Sequence, residues 1–249
     1  MKRYNTSDII YGIRPLMEAI NAGKEIDKIL VKKGLTGELV QELFNLMREN
    51  GLSPQFVPAE KFAQFGSRNH QGVVAYISPV DFQPIEEVVA RLWEEGKSPF
   101  LILLDSVTDV RNFGAIVRAA ECAGAHAVIF PSKGSARIGS DAVKTSAGAL
   151  HHMPICRVNS LKSTISFLKL SGIRVVAATE KASIVYTQAN LKPPIAIIMG
   201  SEDEGISENA LKMADELVRI PILGKVSSLN VSVAAGVLMF EVHRQATLD

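Results

Sequence analysis

Asn112, Arg118 and Glu121 are polar residues in and around an otherwise apolar run, Ala115-Ile-Val-Arg-Ala-Ala120. Arg118 and Glu121 stand three apart, which makes them neighbours on one face if the run is helical. An arginine there either pairs with that glutamate or works on a phosphate. Asn112 stands at the start of the run, where an N-cap is its plain structural use. A second polar group, Met199-Gly-Ser-Glu-Asp-Glu-Gly205, follows a very apolar run. Gly200 lets a ligand touch the backbone. Glu202 is either one of several solvated acids or an acceptor for a ribose or a neighbouring loop's amides. A third group lies between Arg219 and Gly236. A short apolar strand, Leu217 to Ile220, is stopped by Pro221, which has no N–H for a ladder. A loop through Ser228 and Asn230, either of which can cap a helix, leads to a helix running to about Gln245. Val231, Ala234, Ala235, Leu238, Met239 and Val242 fall on one face of it.

Several chemistries are excluded. Nucleotide-binding α/β domains carry G-x-G-x-x-G after their first strand. Here that position reads Asp105-Ser-Val-Thr-Asp-Val-Arg-Asn-Phe-Gly-Ala115. Gly134 and Gly139 have P-loop spacing, but Ser140 and Asp141 follow where Lys and Ser/Thr are needed. NAD and ATP are therefore rejected. No Cys/His spacing fits zinc, and the adjacent rings of His151 and His152 point apart, which suits surface or partner contact. No metal is expected.

The elements that must position these groups follow from periodicity. Residues 1–78 read as a compact α/β unit: helices at Ile9–Asn21, Glu38–Glu49 and Pro58–Phe65, strands at Ile26–Val31, Gln55–Val57 and Gly72–Ile77. Its loop Ser67-Arg-Asn-His-Gln-Gly72 is either a donor surface for phosphates and bases or a plain turn. Residues 79–98, bracketed by Pro79, Pro84 and Pro99, read as an acidic linker with a helix. Residues 99–249 alternate. Strands are expected at Phe100–Asp105, Ala127–Pro131, Pro154–Val158, Arg174–Ala178, Ile195–Gly200 and Leu217–Ile220, and helices at Asn112–Ala123, Asp141–Leu150, Leu161–Ser171 and Glu208–Ala214. Continuous apolar strands between helices imply an α/β fold, a mostly parallel sheet with helices on both faces. All three polar loops fall at strand C-terminal ends and can converge on one crevice.

The chain has 249 residues, 47% of them hydrophobic, enough for a substantial core. No apolar run approaches the ~20 residues of a membrane span, and Met1–Asp8 has no signal-peptide core. Cys122 and Cys156 have apolar neighbours, so both are expected as reduced core residues of a cytoplasmic protein. The formal net charge is only +1, but Ser132 to Arg174 carries seven basic residues against Asp141 alone, a local +6. That stretch suits a phosphate-bearing partner, or is a face balanced by acids elsewhere in the fold.

Together the three loops resemble the motifs of the SpoU (TrmH-type) family of RNA ribose 2′-O-methyltransferases, within the SPOUT superfamily. The resemblance rests on Leu104 to Gly124, on Ile198-Met-Gly-Ser-Glu-Asp-Glu-Gly205, and on Ile220-Pro-Ile222 followed by Ser228-Leu-Asn-Val-Ser-Val-Ala-Ala235. Tyr11-Gly-Ile-Arg-Pro-Leu-Met-Glu-Ala19 and Arg68-Asn-His-Gln-Gly72 resemble the family's small L30e-like RNA-recognition domain. One departure is Val110, where the family often has proline. The resemblance implies a C-terminal trefoil knot, which periodicity never shows and which is rare among folds. It implies S-adenosylmethionine as cofactor, held near Met199, Gly200, Ile220, Ile222, Ser228 and Leu229. It implies a homodimer formed through the C-terminal domain, with Ser232, Ala235 and Gly236 allowing close packing. The partner is RNA, rRNA before tRNA, and the subgroup most resembled methylates a guanosine of 23S rRNA. Arg118 would act on the 2′-hydroxyl, helped by Asn112 and Glu121, while Glu202, Ser228 and Asn230 shape the pocket. Two rival readings are a ribosome-assembly factor with a dead pocket and an α/β enzyme using another nucleotide. The intact motifs oppose the first and the absent glycine fingerprint the second.

Overall fold

The computed structural model describes residues 9–136 and 138–247. Met1–Asp8, read above as lacking a signal core, and Arg137 of the basic stretch lie outside the described residues. The chain divides into two units, one reaching to Asp81 and including Ile138–Ser140, the other taking the rest from Phe82.

The first unit contains β1 (Ile9–Tyr11), α1 (Ile13–Asn21), β2 (Ile26–Lys32), α2 (Glu38–Glu49), β3 (Gln55–Val57), a 3-10 segment (Ala59–Phe65) and β4 (Val73–Ile77). The sheet order is β1-β4-β2-β3. β4 runs antiparallel to both its neighbours, and β3 lies parallel to β2. Leu16, Ile20, Leu43 and Met47 of the two helices share a core with Ile29, Val31 and Val73 of the sheet. Phe62, Phe65, Val74 and Tyr76 form a second cluster. The helix expected over Ile9–Asn21 is a strand followed by a helix. Gly12, at φ 97°, breaks the run, because that backbone angle is open to glycine but strained for other residues. The α1 N-cap has no side chain to offer, and Gln71 Oε1 accepts from Ile13 N instead, at 3.2 Å.

The second unit begins with α3 (Ile85–Glu94), inside the stretch read as a linker. Its Ile85, Val88, Val89 and Leu92 are buried in the core of this unit, so the helix packs as part of it. There follow β5 (Phe100–Asp105), α4 (Val110–Cys122), β6 (Ala127–Pro131), α5 (Ser140–Thr145), β7 (Ile155–Val158), α6 (Leu161–Leu170), β8 (Arg174–Ala178), β9 (Ile184–Val185), β10 (Ile195–Gly200), α7 (Glu208–Met213), β11 (Glu216–Arg219) and α8 (Val231–Ala246). The seven strands lie in the order β7-β6-β5-β10-β8-β11-β9. Every ladder between them is parallel. Both faces of a parallel sheet must be covered. Leu101, Leu103, Ala196 and Ile198 point to one face, with Val88 of α3, Ile165 of α6 and Ala210 of α7. α4 and α8 pack against each other, α4 also on β6 and α8 on β10.

Two expectations need correction here. The helix expected over Asp141–Leu150 ends at Thr145. Ala147 (φ 50°) and Gly148 (φ 92°) turn the backbone left-handed, and a separate 3-10 turn, Ala149–His151, follows. Of the two cysteines only Cys156 is buried, whereas Cys122 is exposed. Cys122 stands on α4, whose buried residues include Phe113, Ile116, Val117 and Ala120 on the other face. Among the described residues, no helix is long and apolar enough to cross a membrane.

Candidate active site

The site lies at the C-terminal ends of β8, β10 and β11. A cavity of about 390 Å³ opens there, and Met199, Gly200, Ile220, Ile222, Ser228 and Leu229 all line it. Its wall is mixed: Ala178, Val218, Val231 and Ala234 add apolar surface, and the acids of the β10–α7 loop add polar surface. The volume falls in the range of small-molecule sites.

Two local devices set the β10–α7 loop. Asp105, only 5% exposed at the end of β5, accepts from Ser207 N through Oδ2 at 2.8 Å. Gly200 stands in close contact with the backbone of its own loop. A Cβ on it would lie 2.2 Å from the Gly205 carbonyl carbon and 2.4 Å from Ile206 N. Ser201 and Gly205 exchange both backbone hydrogen bonds at 3.1 Å. The glycine is needed because the loop folds back onto its own strand.

Asn112 of α4, Glu202 of the β10–α7 loop and Asn230 before α8 meet in one hydrogen-bonded cluster of side chains. Asn112 Nδ2 donates to Glu202 Oε1 at 3.0 Å, and Asn230 Nδ2 donates to the same oxygen at 2.5 Å and to Asn112 Oδ1 at 3.0 Å. Val231 N adds a third donor to Glu202 Oε1 at 3.2 Å. One carboxylate oxygen thus ties the start of α4 to the start of α8. Asn230 is also the α8 N-cap, its Oδ1 accepting from Ser232 N at 3.0 Å. Asn112 is not a cap: Asp109 caps α4, accepting from Arg111 N at 2.8 Å and Asn112 N at 3.0 Å. The Asn112 side chain is thereby free to bind across loops.

Arg118 and Glu121 lie exposed on α4. Among the described residues no hydrogen bond or ion pair joins them, so the pairing expected of Glu121 is absent from this conformation. Part of the basic stretch is balanced within the fold: Lys169 pairs with Asp215 at 2.7 Å and Arg174 with Glu216 at 3.4 Å, and the Arg157 guanidinium lies 4.2 Å over the Phe82 ring. In the first unit the polar loop is also partly committed: Arg68 stacks on Tyr11 and donates to its hydroxyl, and His70 Nδ1 accepts from Gly72 N at 3.0 Å.

The sequence reading missed Thr179, Glu180 and Lys181, which also line the cavity. The available signal was their place directly after β8, at the carboxyl edge of a parallel sheet.

The chain matches the model of the SpoU rRNA Methylase family over residues 99–240. Residues 9–83 match the model for RNA 2′-O ribose methyltransferase substrate binding. YacO of Bacillus subtilis, whose name assigns it to the TrmH family of tRNA/rRNA methyltransferases, is 31% identical over 238 residues, 96% of each chain. A crystal structure of an RNA 2′-O ribose methyltransferase is similar at 28% identity and a TM-score of 0.58, over 96% of this chain and 89% of that one. The SpoU methyltransferase AviRb of Streptomyces viridochromogenes, in complex with the cofactor AdoMet, shares the fold at 24% identity and a TM-score of 0.60, over 95% and 89% of the two chains. Three polar segments joined by one hydrogen-bond network, with family matches along both units, make this chain a member of the SpoU (TrmH-type) family of RNA methyltransferases.

Proposed function

We propose that the chain transfers a methyl group from S-adenosylmethionine to a ribose 2′-hydroxyl of RNA, a guanosine of 23S rRNA in first place and tRNA in second. The observation that carries this reading is the Asn112–Glu202–Asn230 network, which ties the start of α4 to the two loops that line the cavity after β10 and β11. The cavity suits the cofactor: apolar side chains such as Val218, Ile220 and Leu229 for a purine, and charged side chains for its charged end. Met199, Gly200, Ile220, Ile222, Ser228 and Leu229 hold it. Bound there, it supplies a methyl group already activated on a sulfonium. The chain's task is then mainly alignment of donor and acceptor. Glu202 and its two asparagines fix the loops that set the alignment. Arg118 carries a guanidinium, a donor-only group and a poor base. It orients a phosphate of the RNA and stabilises the 2′-oxygen as its proton passes to solvent and the methyl group leaves the sulfonium behind as a thioether.

The assembly proposed is a homodimer with a trefoil knot. Supporting the dimer, Leu223 (98% exposed), Val226, Val233 and Phe240 stand out of the β11–α8 segment as large apolar side chains. Supporting the knot, β11 lies beyond β8 while α8 returns to pack on α4 and β10. A cytoplasmic location goes with the RNA substrate and with cysteines that are both unbonded.

The test is incubation with tritiated S-adenosylmethionine and unmodified 23S rRNA or tRNA in parallel, with mapping of the mark. Label at one ribose of 23S rRNA supports the whole reading. Label only in tRNA keeps the chemistry and changes the substrate. No label in either, with cofactor bound, means that the substrate is a ribosomal particle or that the chain is a binder. Arg118→Ala should reduce transfer at least ~100-fold, the scale for one preorganised charge-stabilising donor, while cofactor affinity stays within about twofold. Retained turnover would remove Arg118 from the mechanism.

A further inference from the structure

The loop after β8 is a tight turn. Thr179 N is anchored to Val218 O at 2.9 Å, and Ala182 N donates back to Thr179 O at 3.2 Å, closing a four-residue turn. Lys181 N is held by Thr179 Oγ1 at 3.3 Å. Glu180 and Lys181 are its two central residues. Both line the cavity and both are exposed. Among the described residues, neither side chain has a hydrogen-bond or ion-pair partner. The turn is thus fixed by its ends, and it presents one carboxylate and one ammonium that the fold does not use.

Lys181 is the only cation among the residues lining the cavity. The other obvious holder of an anion, the N-terminus of α8, is already occupied. Val231 N donates to Glu202, Ser232 N to Asn230 Oδ1, and Val233 N and Ala234 N to Asn230 O. A ligand carboxylate in this cavity has Lys181 as its one charged side-chain partner. Glu180 beside it makes the only acid–base neighbours in the lining. An α-amino acid carries its ammonium and carboxylate on a single carbon, so it is matched by opposite charges on adjacent residues.

We infer that the Glu180–Lys181 turn reads the zwitterionic aminoacyl end of the cofactor, Lys181 taking the carboxylate and Glu180 the ammonium. The inference rests on the cofactor reading above and adds residues to it. The two residues bind and take no part in the transfer itself. They select ligands that keep the amino acid end over nucleosides that lack it.

The experiment compares two neutral thioethers by titration calorimetry on the full-length chain: S-adenosylhomocysteine, which has the aminoacyl end, and 5′-methylthioadenosine, which lacks it. Lys181→Ala should weaken S-adenosylhomocysteine ~5–10-fold, the scale for one charge-assisted contact in a partly solvated site. It should leave 5′-methylthioadenosine within about twofold, and that unchanged binding also shows that the variant is folded. Lys181→Arg should restore most of the loss, and Glu180→Gln should show the same selectivity more weakly. Raising the ionic strength should weaken S-adenosylhomocysteine more for the wild type than for Lys181→Ala. Equal effects of Lys181→Ala on both ligands, or no effect on either, overturn the inference and leave the cofactor reading standing. If the wild type binds neither ligand nor S-adenosylmethionine, both fall together.

Discussion

Replacing Gly200 by alanine adds a single methyl group where the loop folds back onto β10. The new carbon would stand 2.2 Å from the Gly205 carbonyl carbon, 2.4 Å from its oxygen and 2.4 Å from Ile206 N. All three atoms are backbone, so no side chain can swing away, and ordinary contact requires an opening of more than ~1 Å. The reciprocal Ser201–Gly205 bonds, both 3.1 Å, cannot survive such an opening. Losing the pair costs about 0.5–1.5 kcal/mol per bond, and residual overpacking adds ~1–3 kcal/mol. The sum, roughly 2–6 kcal/mol, should lower Tm by on the order of 10 °C in a domain of this size. The same shift drags Glu202 off its asparagines and should weaken S-adenosylmethionine at least ~10-fold. Gly139→Ala is the control: its added methyl meets nothing within 4 Å and its φ is not left-handed, so its effect should be neutral or slightly stabilising. Thermal unfolding by circular dichroism, paired with calorimetric titration of cofactor, reads both effects. A Gly200→Ala protein that unfolds with the wild type and binds cofactor normally would refute the claim that the loop's geometry depends on this contact.

Burial, with Glu86 nearby, pushes the Cys156 thiol up to about 12, while Cys122 is exposed. At pH 8, Ellman's reagent should therefore titrate one thiol per native chain and two after denaturation; two fast native thiols would contradict the buried position. Asp215 is pushed up by burial, but the Lys169 ammonium and Val175 N outweigh this and hold it below the ordinary aspartate range. Its contribution is therefore present above the unfolded value near ~3.9 and lost as pH falls through the lower folded value. Asp215→Asn should lower Tm at pH 7, with the gap to wild type narrowing at pH 3; a gap that widens in acid would reverse the sign.

Much of the second unit was legible because its strands are short, apolar and bounded by breakers. β5, β6, β8 and β10 occupy the residues that their composition picked out. The failures have physical causes. Over Ile9–Asn21, helical spacing continued across Gly12, and the spacing of apolar residues carries no information on backbone handedness. Over Asp141–Leu150 it ran through two left-handed residues, Ala147 and Gly148, in the same way. Cys122 looked internal because its neighbours are small, yet helix phase turns it outward. Arg118 kept its candidacy, but its expected partner Glu121 does not touch it, since a spacing of three permits a contact without requiring one.

The site was legible as three loops and illegible as a place. What joins the loops is strand order, which no local pattern encodes. β10 comes late in the chain, yet it inserts between β5 and β8, with β11 on the far side of β8. Asp105, Gly200, Ala178 and Arg219 therefore stand side by side at the carboxyl edge, though nearly a hundred residues separate the first two along the chain. The loops after β10 and β11 cannot flank one cavity without the loop after β8 lying between them. That loop holds Glu180 and Lys181, two charged residues that look like ordinary surface in the sequence. Topology makes them part of the wall, so the residues that sequence passed over follow from the same strand order that gathers the residues it found.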